Sequence, residues 1–142
     1  MFGFTIKYFG FLKFVPGAAH FFDTWLKLYT FATKPILLDW MDSIRADVLR
    51  WDGIKITSHK YGGMQFNYSK KEIGHIHGNG LLDMLLNRKI KEQLLQDGRI
   101  QDHHSFKNTG WISFWIRTED DKDYAVELLR LGYQLVLSKS ST

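Results

Sequence analysis

The chain has 142 residues, 44% of them hydrophobic, 15% aromatic and 24% charged, with 19 Lys+Arg against 15 Asp+Glu and no cysteine. These proportions exclude intrinsic disorder, and the lack of cysteine excludes a disulfide framework, a thiolate zinc site and a cysteine nucleophile. A chain of this length can bury a core of its own, and it reads as one domain over residues 1–142.

Residues 1–34 form an aromatic-rich helical segment that holds 11 of the 22 aromatic residues. Phe4, Tyr8, Phe11 and Val15 follow one helical stripe, and after Pro16-Gly17 the residues Phe21, Trp25, Leu28 and Ala32 repeat that spacing. The stripe from Phe21 onward is expected to pack on the rest of the protein, leaving the first 15 residues for a membrane or a partner. Pro35 then suits the first turn of a helix that places Leu37, Met41, Ile44 and Val48 on one face, with Gly53 as the stop.

From Gly53 the apolar period changes to two. Ile54 and Ile56 alternate with Lys55 and Thr57, and beyond Tyr61-Gly62-Gly63 the residues Met64, Phe66 and Tyr68 alternate with Gln65 and Asn67. Residues 72–77 give a third strand, and Gly78-Asn79-Gly80 a tight turn into a fourth over residues 81–86. Asn87 caps a predicted helix with Ile90, Leu94 and Leu95 inward and Arg88, Lys89 and Lys91 outward. A connection containing Asp102-His103-His104 leads to the clearest strand, residues 110–117, where Ile112, Phe114 and Ile116 oppose Trp111, Ser113, Trp115 and Arg117. Thr118 caps a closing helix striped by Tyr124, Leu128, Leu131 and Leu135. The fold class is α+β: a curved antiparallel sheet of about five strands with helices packed on it, a core over residues 35–137 and a short polar tail over 138–142.

Charge is uneven. Residues 1–34 carry Lys7, Lys13, Lys27 and Lys34 against Asp23 alone, and residues 54–117 carry ten bases against five acids. The latter are spread over strands, helix and loops, so nucleic-acid binding is expected to be weak and salt-sensitive, and a small-molecule or anionic ligand fits the same charge. The lysines interrupt any run long enough to span a bilayer and no signal peptide is apparent, which makes the cytoplasm the expected location, with peripheral membrane contact through the aromatic segment as the alternative.

Five of the six histidines lie between positions 59 and 104. His75 and His77, two apart on a strand, project from the same face. Asp83 lies across the turn, and one of His103 or His104 can join them. His75, His77, Asp83 and His104 would suit zinc or a nonheme metal, and a carboxylate paired with an imidazole also suits acid and base work. Trp111, Trp115 and Arg117 on one strand face can stack a planar ligand, or else form core beneath the N-terminal aromatics, the reading preferred here. The candidate ligand pocket is therefore His75, His77, Asp83, His103, His104, Trp111, Trp115 and Arg117. No phosphate-cradling loop and no nucleophile elbow is present, and the spacing identifies no cofactor.

Glu72 through Asp83, then Asp97-Gly98-Arg99 with His103-His104, residues 110–117 and Leu128-Leu129-Arg130-Leu131-Gly132-Tyr133 together resemble the "luciferase domain" family of small bacterial and fungal proteins. The resemblance extends over roughly residues 16 to 137 and implies the α+β architecture, but no particular reaction and no light emission. A more distant similarity to MmcQ/YjbR-type domains implies the same architecture and, by fold analogy only, DNA binding. The expected function is a small binding module with a histidine-lined polar pocket; the alternatives are an enzyme using His75, His77 and Asp83 around a metal or as acid and base, and a membrane-surface or partner-docking protein acting through the aromatic N-terminus.

Overall fold

The computed structural model describes residues 18–60 and 62–140. The predicted stripe Phe4, Tyr8, Phe11 and Val15 and the first 15 residues lie outside this range. Two helices come first, α1 (Ala18–Thr33) and α2 (Pro35–Val48). Pro35 occupies the start of α2, where its missing N–H costs nothing, and the helix buries Leu37, Met41, Ile44 and Val48, the face the spacing predicts.

A meander follows: β1 (Ile54–Ser58), β2 (Met64–Tyr68), β3 (Lys71–Ile76) and β4 (Leu81–Leu85). Helix α3 (Arg88–Gln96) opens on Asn87, whose side chain accepts the Ile90 N–H at 2.8 Å. Next come a two-residue strand β5 (Gln101–Asp102), then β6 (Trp111–Trp115) and α4 (Glu119–Ser140). Thr118 and Asp121 cap α4 reciprocally, the Asp121 N–H donating to the Thr118 hydroxyl at 3.2 Å and the Thr118 N–H to the Asp121 carboxylate at 3.0 Å. The helix runs through Ser140, so residues 138–140 of the predicted tail are helical.

The sheet is open, curved and antiparallel throughout, in the order β1-β2-β3-β4-β6-β5. The α+β expectation holds, with six strands rather than about five, because Gln101 and Asp102 in the predicted connection pair with Ser113 and Ile112. One sheet face carries Phe66, Ile76, Leu82, Met84, Ile112 and Phe114 into a core shared with α2 and α4. On the other face the register lines up Thr57, Gln65, His75, Asp83, Ser113 and Gln101, one from each strand. The chain thus separates an apolar layer from a row of polar side chains.

Two helices depart from their predicted orientation. In α3, Lys91 is buried and Leu95 exposed, the reverse of the expectation, because the Lys91 ammonium has fixed partners in Asp102 and the Thr109 carbonyl. In α1, the stripe Phe21, Trp25 and Leu28 faces solvent, and Asp23 and Thr30 are the buried residues. At 100° per residue these two lie opposite that stripe. They hold the helix to one residue of the β3–β4 turn: the Asp23 carboxylate accepts the Gly78 N–H at 2.9 Å, and the Thr30 hydroxyl donates to the Gly78 carbonyl at 3.1 Å. The approach needs glycine, since a Cβ on residue 78 would sit 2.7 Å from the Lys27 side chain.

Candidate functional site

The polar row on the second sheet face contains a cluster of imidazoles around two carboxylates. Strand alternation aims His75 and His77 the same way, and the antiparallel register sets Asp83 directly opposite His75. The turn between them closes with the Gly80 N–H on the His77 carbonyl at 2.9 Å, Gly80 supplying the positive φ of 84°. Asp83 Oδ2 then has three imidazole nitrogens around it: His77 Nε2 at 3.2 Å, His103 Nε2 at 3.6 Å and His75 Nε2 at 3.8 Å. Asp83 Oδ1 accepts the Ser113 hydroxyl from β6.

Glu72 completes the cluster from behind, its carboxylate 2.6 Å from His75 Nδ1. With regular alternation Glu72 would face the core. A β-bulge prevents this: Phe66 pairs with Gly74 and Asn67 with Glu72, so Ile73 has no partner of its own and Glu72 is turned onto the histidine side. His59, just beyond β1, stacks on His75 with ring centroids 3.7 Å apart and planes 9° from parallel.

Hydrogen bonding sets the roles of the ring nitrogens. Glu72 at Nδ1 leaves the Nε2 lone pair of His75 directed toward Asp83. In His103 the arrangement is reversed. Its Nδ1 accepts the N–H groups of Ser105 and Phe106 at 3.1 and 3.2 Å, so a neutral ring carries its proton on Nε2, toward Asp83. His103 Nε2 stays 3.6 Å from Asp83 Oδ2, beyond hydrogen-bond distance, and the lone pair on Nδ1 is taken up by the loop backbone, so His103 offers none to an ion.

Burial works to raise the Asp83 carboxyl, but hydrogen bonds from His77 and Ser113 and the charges of His77 and His103 outweigh it and hold the group below its ordinary value. Burial opposes ionisation of Glu72 in the same way, and His75, His59 and Lys60 outweigh it. Burial, reinforced by His75, lowers His59 to about 4, which keeps that ring neutral near pH 7. Burial and the neighbouring imidazoles also lower His103, against the attraction of Asp83.

Among the described residues, two sets of three groups are close enough to share one ion, with ligand atoms within 4.8 Å of one another: His75, His77 and Asp83, and His59, Glu72 and His75. The first is the better formed. Zinc bonds of about 2.0 to 2.1 Å imply ligand separations of about 3.3 to 3.4 Å in a tetrahedron, close to the His77–Asp83 spacing of 3.2 Å and the His75–Asp83 spacing of 3.8 Å. In the second set Glu72 is engaged with His75 itself.

The predicted pocket residues therefore divide. His75, His77, Asp83 and His103 converge, and Trp111 packs beside them, its ring centroid 6.2 Å from that of His75 and 5.6 Å from that of His103. His104 does not join: it is exposed and stacks on His103 at 4.4 Å, so its place in the predicted metal set is corrected. Trp115 and Arg117 lie apart from the histidines, with the Arg117 guanidinium 5.5 Å over the Trp115 ring, beside a groove of about 220 Å³ that Lys34, Trp40 and Asn79 also line. Trp111 packs against Phe106, with ring centroids 5.8 Å apart, and the described N-terminal aromatics Phe21 and Trp25 face solvent. Sequence reasoning missed Glu72, whose position depends on the bulge, and His59, whose only signal was its place among the five clustered histidines.

Residues 70–132 match the Luciferase domain family model. The matched stretch contains Glu72, His75, His77, Asp83, His103 and Ser113 and leaves out His59. No curated protein and no solved structure matches the chain.

Proposed function

We propose, taking the Luciferase domain match over residues 70–132 as the premise, that the protein is a small binding module whose histidine-lined site takes a divalent transition-metal ion through His75 Nε2, His77 Nε2 and Asp83 Oδ2. The observation that carries this reading is the convergence of these three side chains on the polar sheet face, with Glu72 orienting His75 from behind. Carboxylate–histidine–metal relays have this form, and the outer carboxylate raises the basicity of the ligating imidazole.

Two nitrogens and one oxygen suit zinc or ferrous iron better than calcium or magnesium, which prefer oxygen ligands. Three protein ligands leave at least one coordination position for water or a small anionic ligand. Of the three side chains His77 lies nearest solvent, 19% exposed against 7% for His75 and 1% for Asp83. The Ser113 hydroxyl holds Asp83 Oδ1 and leaves Oδ2 to the ion, which would displace the proton that His77 Nε2 shares with that oxygen.

Cobalt(II) titration of the metal-free chain tests the reading. Visible d–d absorption saturating at one equivalent, and absent from the His75→Ala, His77→Ala double variant, is the expected result. Equal spectra for the two proteins would refute it.

A further inference from the structure

Helix α1 presents an apolar face to solvent although it is firmly attached. Phe21 is 76% exposed, Trp25 58%, Leu28 60%, Tyr29 47% and Phe31 67%. The orientation is set from the opposite side of the helix, where Asp23 and Thr30 are bonded to both backbone groups of Gly78. An isolated exposed leucine needs no explanation, but five large apolar side chains on one pinned helix do.

Charge identifies what covers them. Asp23 is the only acid among residues 1–38, and it is buried and paired with Lys27 at 2.8 Å. The face is bordered by Lys27 and Lys34, and the preceding 17 residues add six aromatics, Lys7 and Lys13 without an acid. At the C-terminal end of α1, Lys34 and Arg117 line the groove of about 220 Å³ together with Trp40, Asn79 and Trp115. Two cations between indoles suit a phosphate headgroup at a membrane–water interface, where aromatic side chains concentrate and helices with an apolar face and a lysine border settle. A second copy of the chain fits less well, since a two-fold contact would bring two lysine-bordered faces together with no unpaired acid among residues 1–38 of either copy to meet them.

We propose that α1 docks the protein on an anionic membrane surface, its aromatic face lying in the headgroup region and the Lys34–Arg117 groove taking a lipid phosphate. No described helix is long and apolar enough to cross a membrane. The inference is independent of metal at the histidine cluster.

Co-sedimentation of the full chain with vesicles tests it. Phosphatidylcholine vesicles containing phosphatidylserine should carry the protein down at low salt, those of phosphatidylcholine alone should not, and raising the salt should release it. Trp25→Glu with Phe31→Glu should abolish sedimentation while leaving the melting temperature unchanged, because both side chains are in solvent. Lys34→Ala and Arg117→Ala should each weaken binding roughly fivefold. Failure to sediment with the mixed vesicles would overturn the proposal, as would equal sedimentation with neutral ones, or a salt-independent dimer that Trp25→Glu disperses.

Discussion

His77 Nε2 and Asp83 Oδ2 stand 3.2 Å apart across the β3–β4 turn. The same turn carries Gly78, the residue to which α1 is fastened. The anchor of α1 is thus the residue next to the candidate ligand His77, on the turn that sets the distance from His77 to Asp83.

Glu72 is expected to tune the site without touching the ion. Glu72→Gln keeps the volume but removes the charge behind His75, and zinc affinity should fall about 10- to 100-fold. The same change at Glu92, exposed on α3, should do nothing. Competition against a chromophoric chelator measures both, and equal affinities for the Glu72 variant and the unaltered chain would show that Glu72 does not act on the metal.

Acid should destabilise the metal-free protein before its carboxylates titrate. His59 falls from 6.5 to about 4 on folding, so between those values the unfolded chain binds more protons and stability drops as the pH is lowered. At about 1.4 kcal/mol per pKa unit the loss reaches at most about 3 kcal/mol, complete near pH 4. Asp83 and Glu72, held below their ordinary values, contribute stability that is lost on further acidification through their folded values. Urea midpoints from pH 7.5 to 4.5 should show a slope that His59→Gln flattens. An unchanged slope in the variant would assign the acid sensitivity to other groups.

Lys91 should behave as a clasp on the loop that delivers His103. Its ammonium is buried between Asp102 and the Thr109 carbonyl, the two ends of that loop. Removing it strands the carbonyl while Asp102, which is 41% exposed, can turn to water. Lys91→Ala should therefore cost roughly 1 to 3 kcal/mol in urea unfolding, and Lys91→Met, which keeps the apolar stem, less than Lys91→Ala. Equal losses for both variants would assign the whole effect to the ammonium.

The sheet was legible in the sequence because its two faces differ so sharply in polarity. Ile112, Phe114 and Ile116 alternate with Trp111, Ser113 and Trp115, and His75, His77 and Asp83 needed only strand parity and a two-strand turn to be placed together. Glu72 was not legible, since one unpaired residue, Ile73, reverses parity and nothing in the residue pattern marks the bulge. Lys91 was misplaced because a helical wheel records polarity but not a partner 11 residues away. The stripe of α1 was read as core by the same logic, whereas two polar side chains on Gly78 decide which way that helix faces.

The most direct measurement of the central claim is the anomalous scattering at the zinc edge from crystals of the chain grown with one equivalent of zinc. The account predicts a single strong peak about 2.0 to 2.2 Å from His75 Nε2, His77 Nε2 and an oxygen of Asp83, with Glu72 still on His75 Nδ1 and His103 outside the coordination sphere. A zinc peak elsewhere on the chain, or none between these three side chains, would contradict it.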